Sequence, residues 1–355
     1  MSWKGGIKRL TVMIGKRIVN IVVKIVMPLV LGGAILYWMY RNFDFQQVRD
    51  VLLNEMSWTW MLLSMPFGVL AQMFRAWRWQ LTLEPIGEHP RRSTSVYAIF
   101  LSYAASLLIP RVGEFTRCGV LKRYDGVSFS KALGTVVTER AVDSLFILLL
   151  TAVTLLCQLP VFVTFFHRTG TSMDSVLRQF SPTGYAVTLV CAVAVAWLLH
   201  GLLRKLSIYK KVKATLSGIW QGVVSLLHTQ HVWRYVFFTI GIWGSYFLHY
   251  YLTFFCFEST SRLGLVCALV TFVVGSIAVI VPTPNGAGPW HFAVKTMLIL
   301  YGVAEVEALY FVLIVHTLQT ILVVLLGVWA WIALALNKSC SITPNLTNND
   351  KKPES

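Results

Sequence analysis

The chain is short of charge. Of its 355 residues only 13% are charged and 15 are acidic, while 56% are hydrophobic and the mean hydropathy is +0.66. That balance excludes an ordinary soluble globule and leaves a polytopic helical membrane protein. Cysteine is sparse as well. Cys118, Cys157, Cys191, Cys256, Cys267 and Cys340 lie mostly in apolar segments, with no C-x-x-C and no histidine at metal spacing. They read as small packing residues, and neither a metal site, a disulfide framework nor a cofactor is expected. There is no D-x-D pair and no nucleophile with an oriented base, so a membrane-embedded transferase finds little support.

What the chain does have is long apolar runs. Segments at 18–40, 57–79, 94–110, 132–157, 182–203, 232–257, 263–282 and 304–336 approach or exceed the roughly 20 residues that cross a bilayer. The basic N-terminus precedes a long apolar run without an A-x-A-like cleavage site, which predicts a retained anchor. The net charge of +16 is gathered beside the runs, at residues 1–24, from Arg204 to Lys213, and at Lys351 and Lys352. Clusters so placed follow the positive-inside rule and attract anionic inner-leaflet lipids, so no nucleic-acid partner is inferred.

Charge parity constrains the topology. With the N-terminus inside, the loop from Arg41 to Glu55 is outside and that from Arg75 to Arg92 inside. If 94–110 then crossed fully, Arg117, Lys122, Arg123 and the Arg204 cluster would all fall outside. A re-entrant hairpin over 94–131, broken at Pro110, removes the conflict. A second, oppositely oriented one over 263–302, broken at PTPNGAGPWHF, keeps the tail inside. The expected fold is all-α, with about six full transmembrane helices plus two re-entrant broken hairpins and a possible inverted repeat. Irregular backbone at membrane depth is tolerated where it lines a cavity, so the breaks point to a site near the midplane.

Residues 1–336 form the expected membrane domain, with an amphipathic interfacial helix near 204–230 and a disordered tail at 337–355. Tyr37, Trp38, Tyr40, Trp58, Trp60, Trp77 and Trp79 are expected as an aromatic belt at span ends. His200, His249 and His316 are expected to bond between helices.

Two constellations carry chemistry. Arg111, Glu114, Arg117, Glu139, Arg140 and Asp143 put charge at apolar depth, where ionisable groups usually meet a partner, a water-filled cavity or a substrate. Glu139 and Asp143 lie one helical turn apart, with Arg140 three residues before Asp143. One reading is internal neutralisation, with Arg140 on Asp143 and Arg111 or Arg117 on Glu114. The other is a surplus guanidinium that holds a lipid phosphate through its planar fork. At the second break, Asn285, Gly286, Gly288 and Pro289 start a new helix whose free N–H groups face an anion, with His291 and Lys295 beside it. A surface Gly/Pro loop is the alternative.

Through IPRVGEFTR, TVVTERAVDSL and PTPNGAG the chain resembles the transmembrane flippase-like region of lysylphosphatidylglycerol synthases, the multiple peptide resistance factors, and their stand-alone relatives. The family reads approximately R-x-G-E-x-x-R, E-R-x-x-D and P-x-P-G-G-x-G followed shortly by Glu. Arg111, Gly113, Glu114 and Arg117 match the first motif, Glu139, Arg140 and Asp143 the second, and Pro284, Gly286 and Gly288 the third. Asn285 stands where glycine is usual and His291 where Glu is general. Full-length synthases add a soluble aminoacyl-transferring domain. With the chain ending soon after its last span, the resemblance implies the translocation half and no enzyme.

The expectation is therefore a lipid translocase of the bacterial cytoplasmic (inner) membrane, both termini cytoplasmic, moving an anionic, aminoacylated or polyprenyl-linked lipid. The alternative is an accessory protein binding such a lipid for a partner glycosyltransferase or lipid synthase.

Overall fold

A computed structural model describes residues 27–41, 45–168 and 231–336. The expected span at 182–203, the interfacial helix near 204–230, the tail at 337–355, His200 and the basic N-terminal cluster lie outside the described residues. Among the described residues every regular element is helical, so the all-α expectation stands.

Helix α1 runs Met27–Tyr40 and the short α2 Phe45–Asp50, followed by a π-helical turn, Val51–Glu55. Then come α3 (Trp58–Leu83), α4 (Arg92–Leu108), α5 (Val112–Asp125) and the long α6 (Phe129–Arg168). The second half holds α7 (Val232–Phe254), the single turn α8 (Glu258–Ser261), α9 (Gly264–Ala278), α10 (Pro289–Leu300) and α11 (Glu305–Leu336).

Among the described residues one helix, Glu305–Leu336, is long and apolar enough by itself to cross a membrane; Leu29–Tyr40 and Gly264–Ala278 are shorter apolar helices. The outward faces are nonetheless apolar over a wide area: Leu148, Leu149, Phe237, Ile240, Leu325 and Trp331 are all exposed. So many exposed large apolar side chains suit a lipid environment.

Both predicted breaks are real. Helix α4 stops at Leu108, the chain turns through Ile109, Pro110 and Arg111, and α5 folds back along α4. The approach is close because Gly113 has no side chain: a Cβ there would collide with the Ser102 carbonyl oxygen and the Ser106 hydroxyl. At the far end of the pair, Arg91 Nε sits 2.7 Å from Asp125 Oδ1 and ties the start of α4 to the end of α5. In the second half α9 ends at Ala278, a 3₁₀ turn spans Pro284–Gly286, and α10 packs back on α9.

The packing has an internal order. Helix α3 crosses α7, α4 packs on α11, and α6 packs on α9. Exchanging α3, α4, α5 and α6 for α7, α9, α10 and α11 turns each of these pairings into another member of the same set. Glycines permit the central crossing: Gly68 of α3 meets the His249 ring, and Gly241 of α7 meets the Phe74 ring. His249 Nδ1 lies 2.8 Å from the Ser64 carbonyl oxygen, which can only accept, so the ring donates between helices as expected.

Two expectations are corrected. Arg75 and Arg78 are not loop residues, because α3 continues to Leu83 and buries both. Nor is the aromatic set uniformly an interfacial belt. Tyr37, Trp38, Trp58 and Trp60 are exposed, but Tyr40 is buried and Trp79 is wholly enclosed between α3, α5 and α6. Its indole N–H donates to Thr135 Oγ1 at 2.9 Å, a partner that lets an amphipathic ring leave the interface.

Candidate functional site

Three carboxylates and four arginines meet at the first site. On α3, Arg75 and Arg78 lie three residues apart and point together at α6. Arg75 Nη1 is 2.7 Å from Asp143 Oδ2, and Arg78 Nη2 is 2.7 Å from Asp143 Oδ1. Arg117, from α5, reaches Glu139 Oε2 at 2.8 Å, and Arg78 Nε lies 3.8 Å from the other Glu139 oxygen. One turn of α6 thus presents two carboxylates to three guanidinium groups from two other helices.

Aromatic faces and one hydroxyl complete the enclosure. The Arg117 guanidinium lies 4.6 Å from the Trp79 ring centroid and that of Arg78 5.4 Å from Tyr235, distances at which a desolvated cation gains from the ring quadrupole. Arg78 Nη1 also donates to Thr239 Oγ1 at 3.2 Å, bringing α7 into the lattice.

Burial divides the predicted residues into two groups. Arg117 is 1% exposed and Glu139 0%, so these two face protein on every side. Arg140 and Glu114 form the outer layer: Arg140 Nε lies 3.0 Å from Glu114 Oε1, with side chains 46% and 32% exposed. Arg140 reaches Asp143 only at 3.9 Å. The internal neutralisation expected from sequence therefore occurs with other partners: Arg117 takes Glu139 and Arg140 takes Glu114. Arg111 is exposed, sits at the N-cap of α5 and makes no ion pair with a described residue.

Such a lattice has consequences. Carboxylates and guanidiniums out of water repay their desolvation only when paired, and removing one partner of such a pair costs about 3–5 kcal/mol. The inner pairs therefore lock α3, α5 and α6 together. The rim of Arg111, Glu114 and Arg140 is what an outside group can touch.

The second break is polar without being charged. Asn285 Nδ2 donates to Thr320 Oγ1 at 2.8 Å, and His316 Nε2 lies 3.1 Å from the Asn285 carbonyl oxygen. Gly288 N–H donates to His291 Nδ1 at 3.4 Å, so His291 caps its own helix. The His291 and His316 rings stand 4.4 Å apart between centroids. Gly286 is buried, and Gly288, at φ +90°, lies where a Cβ would come 2.9 Å from the Gly32 carbonyl oxygen of α1. Lys295, expected beside an anion, is buried one turn along α10 with Nζ 2.9 Å from Glu305 Oε1. The two breaks share a wall, since α4 packs against the Pro284–Gly286 turn as well as against α5.

Arg75, Arg78, Tyr235, Thr239 and Thr320 escaped the sequence reading. The signal for the first two was present: arginines at i and i+3 in a tryptophan-rich helical stretch share a face.

Helices throughout the described residues, an apolar exterior, two broken helical pairs and an arginine–carboxylate lattice at the first break are features suited to a membrane protein. Residues 25–327 match the family described as lysylphosphatidylglycerol synthase TM region, and the chain belongs to that family. Its role is thereby tied to the membrane and to lipid. No curated protein and no solved structure matches the chain.

Proposed function

We propose that this protein is a lipid translocase of the bacterial cytoplasmic membrane, both termini inside. Its cargo would carry an anionic or aminoacylated headgroup, or a polyprenyl-linked one. The observation that carries this reading is the layering of the first site. An ion-paired inner lattice fixes the helices, and over it Arg140 and Glu114 stand half-exposed, with Arg111, which makes no ion pair among the described residues, at the hairpin break. The guanidiniums take the phosphate, Glu114 takes a cationic substituent where one is present, and the acyl chains stay in the surrounding lipid.

Both helical pairs are read as re-entrant hairpins of opposite orientation, and the packing pattern that survives exchange of the halves supports an inverted repeat. In such folds broken helices meet at the substrate path, and rocking of one half against the other alternates access. The activity is movement without group transfer.

Purified protein in liposomes with a headgroup-labelled lipid tests this. The labelled lipid should change leaflet faster than in empty vesicles, and Arg140→Gln should slow it. Lipid that binds to the protein without changing leaflet would instead make it an accessory binding protein for a lipid-modifying partner.

A further inference from the structure

The two halves differ in one respect that the translocation reading leaves unused. Where α5 and α6 meet in the first half, the contact is the ion pair Arg117–Glu139. Where α10 and α11 meet in the second, the ring pair His291–His316 lies nearest the break, with the ion pair Lys295–Glu305 further along. The first pair joins opposite charges, whereas the second is built from the side chain whose charge ordinarily changes near neutral pH.

Hydrogen bonds fix the resting protonation of both rings. The Asn285 carbonyl oxygen only accepts, so His316 Nε2 carries the hydrogen and its Nδ1, 3.5 Å from Thr320 Oγ1, is bare in the neutral ring. Gly288 N–H donates to His291 Nδ1, so that nitrogen is bare too. A proton arriving at His291 Nδ1 meets an N–H already pointing at it, and one of the two must move away. The hydrogen bond that caps α10 is the element a proton breaks.

The surroundings do not compensate such a charge. Helix α1 presents the Tyr40 ring, edge-on to His291, and Trp290 lies against both histidines. Helix α9 has no charged residue, and α4 has only Arg92 at its far end. On α10 the other cation is Lys295, already held by Glu305 of α11. An imidazolium in this setting, with no carboxylate of its own, is costly until water or an anion reaches it. His316 is half-buried and His291 3% exposed, so the outer ring meets solvent first.

We propose that His291 and His316 form a proton-binding site, and that a proton bound at His291 Nδ1 releases the Gly288–His291 cap and opens the second break. The inference rests on the translocation reading and supplies its energy source: a proton gradient biases the break between closed and open. The step is a proton binding to a ring nitrogen, with no other bond made or lost except the hydrogen bond from Gly288.

Hydrogen exchange of the full chain in lipid nanodiscs tests this, comparing neutral with mildly acidic buffer after correction for intrinsic exchange. Protection of the Gly286–Val294 peptide should fall about tenfold on acidification in the wild type, since the cap governs local opening. In His291→Gln, which lacks the ring nitrogen that accepts the Gly288 N–H, it should not change. Equal loss in both proteins, or no loss in the wild type, would overturn the proposal. Nitrogen-15 NMR of the wild-type histidines gives a second reading independent of any variant's folding: both rings staying neutral in mild acid also overturns it. In proteoliposomes, lipid movement indifferent to a proton gradient sinks the coupling alone. Exchange that responds to pH in a protein that moves no lipid upholds the proton site and sinks the translocation reading instead.

Discussion

Arg111 and Asn285 share a left-handed backbone, with φ of 64° and 51°, and among the described residues no other non-glycine residue has positive φ. Each directly follows a proline, Pro110 or Pro284, and each sits at the break of a helical pair. A side chain in this conformation costs roughly 1–2 kcal/mol, and strain that persists in this way gathers at functional positions. The two breaks are thus alike in backbone as well as in packing, although IPRVGE and TPNGAG share little sequence.

The strain makes a first prediction. Arg111→Gly removes the Cβ clash and loses no ion pair, so the unfolding midpoint in detergent should rise, by up to about 1 kcal/mol once the greater freedom of unfolded glycine is subtracted. Lipid movement should fall. Asn285→Val, β-branched at the matching position and without the bond to Thr320, should destabilise by about 2 kcal/mol. If Arg111→Gly leaves transport untouched, the guanidinium has no part in the site.

Inner lattice and rim should separate in a second pair of variants. Asp143→Asn leaves Arg75 and Arg78 buried without their shared counter-charge, and thermal unfolding should show a loss of about 3–5 kcal/mol. Arg140→Gln removes an exposed pair and should cost no more than about 1 kcal/mol, yet slow lipid movement. Matching stability losses would dissolve the distinction between a structural lattice and a substrate-facing rim.

How far the sequence carried the site follows from what kinds of signal each residue leaves. Pro110 and the PTPNGAGP run announced both breaks, because proline and glycine restrict the backbone locally and need no partner to do so. Glu139 and Asp143 announced a shared face through their spacing. Their partners were not legible: Arg75 and Arg78 lie more than sixty residues away along the chain, and pairing at that range is a property of packing. The same limit misplaced Trp79, whose interfacial reading held only while its partners Thr135 and Arg117 were out of sight. Charge parity assigned α4 and α5 to one hairpin, and Arg91 on Asp125 is the contact that a returning chain makes.

The crossing of α4 and α5 gives a third prediction, with an internal control. Gly113→Ala drives a methyl group into the Ser102 carbonyl oxygen, backbone that cannot rotate aside, and should cost about 1–3 kcal/mol or more by overpacking. Gly119→Ala, two turns further along α5, meets open space and should gain close to 1 kcal/mol from helix propensity. Unfolding midpoints in detergent measure both. Loss of stability at Gly119 as large as at Gly113 would mean that the close approach is not what makes Gly113 necessary.

The last prediction concerns the side of the membrane to which each loop belongs. Arg91 bonds Asp125 through both its side chain and its backbone N–H, so the start of α4 and the end of α5 share one surface. Were α4 a full span and α5 left on the far side, this contact could not form. Single cysteines replacing Arg92, Arg123 and Lys211 in a background free of the native six should therefore be shielded from an impermeant thiol reagent applied outside intact cells. A cysteine replacing Arg41, after α1, should be labelled. Arg123 and Lys211 are the decisive pair, because the chain between them has to leave and return for both to be inside. Labelling at Arg123 from outside would end the re-entrant reading, and with it the inverted arrangement that places the two breaks on one path.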